Sequence, residues 1–264
     1  MTNETILITG ASDGIGAVYA DRFAKRGANL ILVARRVGKL EALAASLRAQ
    51  TGVDVEVIAA DLAKADDLAR IEARLRDDDA VTGLVNNAGI AGEQSFVETD
   101  PAYLTGMIDL NILAVTRLSR AIAPRLAANG AGTLINITSV TALMPDGFTA
   151  VYPATKAYVL AFTEALQVEL GAKGVKVQAV LPGITRTAIW TAEQIAGIPA
   201  EMVMDVEVMD VEVMVDAALA GLDMGEPITI PALPERGDLD AYLAARGTLR
   251  PNLSRKDAAG RYRA

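Results

Sequence analysis

Short runs of β-branched and aliphatic residues alternate along this chain with stretches long enough for a helix, and that alternation limits the folds open to it. TILIT (5–9), NLILVA (29–34), VDVEVIAADL (53–62), GLVNNAG (83–89, with the strand starting near 81), GTLINITS (132–139), GVKVQAVLPG (174–183) and PITIPAL (227–233) read as seven strands. Between them lie IGAVYADRFAKRG, ended by Gly27, and VGKLEALAASLRAQTG, stopped by Gly52. An acidic helix through Arg76, a long helix over about 102–129, and a helix opening with YPATK follow. Strands that are apolar at nearly every residue are covered on both faces, and helix-length crossovers join parallel strands. The expectation is a doubly wound α/β fold with a seven-stranded parallel sheet flanked by helices. No stretch rich in Pro, Gly or Ser divides the 264 residues, so residues 1–264 read as one domain.

What the chain lacks narrows its chemistry. It has no Cys and no His, so thiolate nucleophiles, disulfides, Ser-His-Asp triads and the common Cys or His metal sites are all excluded. Proton transfer, if there is any, falls to Tyr, Lys, Asp or Glu. Twenty-five basic residues against 33 acidic ones give a net charge of −8, which offers no electrostatic reason to seek nucleic acid. MTNETILITG lacks a basic leader, and no apolar run approaches a membrane span. The cytoplasm is the default location. MDVEV occurs twice in tandem, at 204–208 and 209–213, a duplication too short for a repeat architecture and read as a lengthened surface helix or its entry.

TGASDGIG (9–16) falls where the first strand hands over to the first helix. Gly10, Gly14 and Gly16 permit a tight turn and a close backbone approach to a ligand. The helix N-terminus beyond them offers amides and a positive dipole end to a pyrophosphate. Ser12, Asp13 and Ile15 lie in the same turn. An acidic residue at the end of the second strand would hold an adenosine 2′-hydroxyl, but here the strand runs into Arg35 and Arg36. Guanidinium groups suit a 2′-phosphate instead, which favours NADP(H) and leaves NAD(H) possible. Either arginine could equally be a solvated surface charge, Arg36 the more readily.

Tyr152 and Lys156 of YPATK share one helix face, one turn apart. Together with TGASDGIG, NNAG (86–89), Asn111, Ser139 and Pro182-Gly183, they occur in the order and spacing that resemble the short-chain dehydrogenase/reductase family, over residues 5 to about 183. The resemblance implies a Rossmann fold and a set of roles. Tyr152 would be the acid/base on a carbonyl or alcohol oxygen, and Ser139 would hydrogen-bond that oxygen. Lys156 would hold the nicotinamide ribose and promote ionisation of Tyr152, whose ordinary pKa near 10 is too high for a base at neutral pH. Asn111 would position a water in a proton relay. The resemblance places Asp61 and Leu62 at the adenine, although Asp61 could equally be a helix N-cap. Asn87, Ala88 and Gly89 would lie along the ribose side, and Pro182, Gly183, Thr185 and Thr187 at the nicotinamide.

The resemblance also implies a substrate lid over about 184–222, where Ile189, Trp190, Ile195 and Ile198 are apolar. Leu143, Met144 and Phe148 are candidates for the opposite wall, and together these suggest a substrate with an apolar body. A C-terminal helix and tail over about 238–264 carry six basic residues from Arg246 onward against Asp257 alone. A homodimer or homotetramer is implied through the helices bearing Asn111 and Tyr152. The expected activity is NADP(H)-dependent reduction of a ketone or aldehyde, reversible as oxidation of a secondary alcohol. An NAD-dependent alcohol or hydroxysteroid-type dehydrogenase, and an NADP(H)-binding sensor or scaffold without chemistry, remain alternatives. No metal site is expected.

Overall fold

The computed structural model describes residues 4–92, 95–146, 149–187 and 207–262. Its centre is the expected seven-stranded parallel sheet: β1 (Thr5–Thr9), β2 (Asn29–Ala34), β3 (Val55–Ala59), β4 (Val81–Asn86), β5 (Thr133–Ile137), β6 (Lys176–Val180) and β7 (Ile228–Thr229). Their order across the sheet is β3-β2-β1-β4-β5-β6-β7. The chain winds outward one way from β1 and the other way from β4. Such a reversal opens a crevice at the carboxyl ends of the two central strands.

Alternation along β1 divides the core into two layers, because successive side chains point to opposite faces. Ile6 and Ile8 pack with Tyr19, Phe23, Leu40 and Met214, while Leu7 joins Leu68, Ile71, Leu118 and Leu134 on the other side. The first layer lies beneath α1 (Gly14–Lys25), α2 (Val37–Thr51) and α7 (Val211–Met224). The second is covered by α3 (Ala65–Asp77), α5 (Val115–Asn129) and α6 (Val151–Gly171). A buried polar chain runs through this layer and ties four elements together. Asn86 Nδ2 donates to Ser119 Oγ (3.0 Å) and Asn136 Oδ1 (2.9 Å), and Asn136 Nδ2 donates to Thr163 Oγ1 (2.9 Å).

The long helix expected over 102–129 forms from Pro101 to Asn129, but in three pieces. The α-helix α4 (Pro101–Ile108) runs into a π-helical segment (Asp109–Ala114) and then into α5. Asp100 caps it by accepting from Ala102 N at 2.9 Å, and Pro101 occupies the first turn, where its missing N–H is no loss. Beyond β6, the chain on either side of residues 188–206 is joined by a bridge between Thr185 and Met209. Arg186 N donates to Met209 O (2.9 Å), Met209 N donates to Ile184 O (3.0 Å), and Arg186 pairs with Asp210 at 3.1 Å. The second copy of MDVEV therefore supplies this bridge and the entry to α7. The last strand, expected over PITIPAL, is only two residues long. Residues 232–264 cluster as a separate small unit holding α8 (Arg236–Thr248).

Candidate active site

The glycine turn joins the NNAG segment at the crevice. Gly10 adopts φ +66°, and a Cβ there would lie 2.7 Å from Asn87 Nδ2 and 3.0 Å from Ala88 Cα. Only glycine satisfies both the left-handed backbone and the close approach. Asn87 Nδ2 donates to Thr9 O (3.0 Å), and the amides of Asn87 and Ala88 both donate to Thr9 Oγ1 (2.9 and 3.0 Å). Asp13 caps α1 by accepting from Gly14 N at 2.8 Å.

Outside this turn lies a cavity of 310 Å³ lined by Gly10, Ser12–Ile15, Arg35, Arg36, Asp61, Leu62 and Asn87–Gly89, among others. Ser12 Oγ accepts from Arg36 Nε (3.2 Å) and Nη2 (3.0 Å), and Lys39 Nζ reaches Asp13 Oδ2 at 2.6 Å. The hydrogen bond from Lys39, with further help from Gly14 N and Arg36, holds the Asp13 carboxyl below the usual range. Arg35 and Arg36 are both exposed on the cavity wall, Arg36 being held by its bonds to Ser12. Asp61 does not cap α3, whose N-cap is Lys64; its carboxylate accepts from Ala63 N in the preceding turn (3.2 Å).

A second cavity, of 80 Å³, adjoins the first; Ile15, Asn87, Gly89, Ile90 and Thr187 border both. It brings together Ser139, Tyr152, Lys156, Pro182, Gly183 and Thr185. Ser139 caps a 3₁₀ turn (Val140–Ala142) by accepting from Thr141 N at 3.2 Å, and its hydroxyl favours the ionised form of the Tyr152 phenol in the same cavity. Burial pushes the Tyr152 pKa above its ordinary value, and Ser139 only partly opposes this. Lys156 was expected to loosen this proton, but desolvation dominates instead. Lys156 Nζ stands 5.7 Å from the Tyr152 ring centre and donates to Ile137 O at 3.0 Å, and burial lowers its own pKa to about 8. Thr138 Oγ1 donates to Lys156 O at 2.7 Å, fastening α6 to the end of β5.

Asn111 lies in the π-helical segment, buried beside this cluster. Its Oδ1 accepts from Ile90 N (3.0 Å), and its Nδ2 donates to Ile90 O (2.9 Å) and Thr155 Oγ1 (3.1 Å). Both ends of the amide are therefore engaged by protein.

The residues from 4 to 196 match the model of the short chain dehydrogenase family. The chain belongs to that family, and its members are oxidoreductases. It is 35% identical over 185 residues to very-long-chain 3-oxoacyl-CoA reductase-A of Danio rerio, covering 69% of this chain and 58% of the relative. It is 37% identical over 185 residues to 17-beta-hydroxysteroid dehydrogenase type 3 of Homo sapiens, covering 69% and 59%. The chain thus spans less than two thirds of the length of these curated relatives. Solved structures align along almost the whole chain. A short-chain dehydrogenase from Sphingobium yanoikuyae in complex with NADPH is 47% identical, with a TM-score of 0.92 and coverage of 98% and 100%. The bulky-bulky ketone specific alcohol dehydrogenase from Comamonas testosteroni is 42% identical, with a TM-score of 0.91 and both chains fully covered.

In this short-chain dehydrogenase the two adjoining cavities and the glycine cradle fit a nicotinamide dinucleotide. Ser12, Arg35, Arg36 and Lys39 surround the end where an adenosine 2′-substituent would sit. Gly16 and Asn111 border neither cavity. Leu143 is half-buried and Met144 is 64% exposed, and the catalytic cavity is built without them. Phe148, Ile189, Trp190, Ile195 and Ile198 lie outside the described residues. Sequence reasoning missed Lys39, Ile90 and Thr141. Lys39 was discoverable, because it follows Arg36 by three residues in the first turn of α2 and so shares its face. Ile90 and Thr141 carried no such signal.

Proposed function

We propose that this protein is an NADP(H)-dependent oxidoreductase that reduces the carbonyl of a ketone or aldehyde with an apolar body, and in reverse oxidises a secondary alcohol. The observation carrying this reading is that Ser139, Tyr152 and the buried ammonium of Lys156 line one cavity. The relatives point the same way, being named for a 3-oxoacyl-CoA, a 17-beta-hydroxysteroid and a bulky ketone. NADP(H) is favoured over NAD(H) because Arg36 is anchored at Ser12 and Lys39 stands beside it, a cationic rim suited to a phosphate.

When bound, the reduced nicotinamide supplies a hydride to the carbonyl carbon. Ser139 Oγ donates to the carbonyl oxygen and polarises it, and the Tyr152 phenol delivers the proton that the oxygen acquires. The Tyr152 phenol is protonated at neutral pH and so is available as the acid in the direction of reduction. Lys156 stabilises the phenolate left behind and holds the ribose side of the site. The proton is then restored from solvent past Lys156 and the main chain at Asn111. Exposed apolar side chains on the helices bearing these groups, Ile108, Leu113 and Tyr158, support a homo-oligomer formed through those faces, to be checked by sedimentation.

A panel of bulky ketones assayed with NADPH tests the function. Wild-type protein is expected to turn them over, and Tyr152→Phe to lose at least about a hundredfold in kcat while still binding NADPH. Absence of wild-type turnover, or turnover undiminished in Tyr152→Phe, would remove the reading.

A further inference from the structure

Thr141 lies two residues beyond Ser139, on the same 3₁₀ turn, and lines the cavity that holds Ser139, Tyr152 and Lys156. The residue is 3% exposed, and its hydroxyl meets no hydrogen-bond partner. Among the described residues lining that cavity, it is the only buried side-chain polar atom left so. Threonines in the longer helices bond back to a carbonyl three or four residues earlier, as Thr51, Thr105, Thr116, Thr155, Thr163 and Thr248 do at 2.6–3.0 Å. Thr141 stands too early in its three-residue turn for that bond, because the positions three and four residues back lie at and just past the end of β5. The Thr141 amide is satisfied by Ser139 Oγ at 3.2 Å, which fixes the turn without help from the Thr141 side chain. A buried hydroxyl without a partner is destabilising, so a fold that retains one beside its reacting groups has a use for it.

We propose that Thr141 is a specificity-determining residue whose hydroxyl hydrogen-bonds a second oxygen of the substrate, selecting ketones that carry another carbonyl one or two carbons from the one reduced. This rests on the carbonyl-reductase reading above and deepens it. Ser139 and Thr141 project from one short turn, so their hydroxyls suit two oxygens of a single small molecule, as in a 1,2-diketone or a β-keto ester. Ser139 would take the oxygen that gains the proton, and the Thr141 hydroxyl, once turned toward the cavity, the other. A simple ketone leaves that hydroxyl unpaired, as it is in the free protein. Discrimination of this kind depends on a buried polar group that only the right substrate satisfies.

The test compares 1-phenyl-1,2-propanedione with propiophenone, which share the aryl ketone and differ by the second carbonyl. Each is assayed with NADPH on the wild type, on Thr141→Val, which keeps the shape and removes the hydroxyl, and on Thr141→Ser, which keeps the hydroxyl. Thr141→Val is expected to lose about tenfold in kcat/KM on the dione, to stay within about twofold on propiophenone, and to melt no lower than wild type. Thr141→Ser is expected to retain most of the dione activity. An equal loss on both ketones, no loss on either, or a lowered melting temperature in Thr141→Val would overturn the assignment. Wild-type protein that turns over propiophenone but not the dione would overturn it alone. Failure on both ketones would overturn the carbonyl-reductase reading with it.

Discussion

Lys156 is 7% exposed, and among the described residues no carboxylate pairs with it, so the protein bears the cost of burying an ammonium group beside Tyr152. Its pKa falls from 10.5 to about 8 through desolvation. The sign follows from proton counting: between those values the unfolded chain binds a proton that the folded chain does not, so stability rises with pH across that window. Below about pH 8 the full penalty applies, about 3 kcal/mol by the conversion of pKa units to free energy. Lys156→Met is therefore expected to inactivate the enzyme yet raise the urea-unfolding stability of the dinucleotide-free protein at pH 7 by a few kcal/mol, and to flatten its dependence between pH 8 and 10.5. Tyr152 gives a second pH prediction. Its pKa is raised, so the acid needed for reduction persists into alkaline solution, whereas the phenolate needed for oxidation grows with pH. Pre-steady-state rates in the two directions should separate accordingly, oxidation still climbing at the pH where reduction starts to fall. At the cofactor rim, Arg36→Asp should weaken NADPH binding on the order of tenfold or more and leave NADH binding nearly unchanged, as read by calorimetry. That Ser139, Tyr152 and Lys156 meet in one cavity was legible from their order and spacing. Thr141 was not, since threonine is common near turns and only its surroundings reveal an idle hydroxyl.

The strands were readable because burial on both faces makes them apolar at almost every position. The π-helical segment at Asp109–Ala114 was invisible for the opposite reason. One extra residue in a helical ladder alters the hydrogen bonds without a compositional mark, and Asn111 looks like any polar residue in a long helix. The shrinkage of the seventh strand to Ile228–Thr229 was equally hidden, because an edge position pairs on one side only and its length depends on the neighbour's register. Between elements, the chain Ser119–Asn86–Asn136–Thr163 couples α5, β4, β5 and α6. Removing its middle member strands a donor at Asn86 and an acceptor at Thr163. Asn136→Ala should cost about 1–3 kcal/mol in chemical denaturation, and the loss should be markedly non-additive with Asn86→Ala.

A parallel sheet with two open edges invites pairing with another chain, and this protein treats its edges differently. β7 is too short to template much. β3 is full length, and α3 lays arginines along it: Arg70 donates to Ala59 O at 2.6 Å, and Arg74 meets Glu56 at 2.6 Å. Replacing both with Ser is expected to raise light scattering on warming below the unfolding transition, with little change in activity. The bridge between Thr185 and Met209, reinforced by Arg186 and Asp210, has a consequence on the scale of evolution. Departure and return of the intervening chain share one doorway, closed by main-chain bonds that no particular side chain specifies. The sheet, the phenol and the ammonium can therefore keep their places whatever the length of chain between the two sides of that doorway.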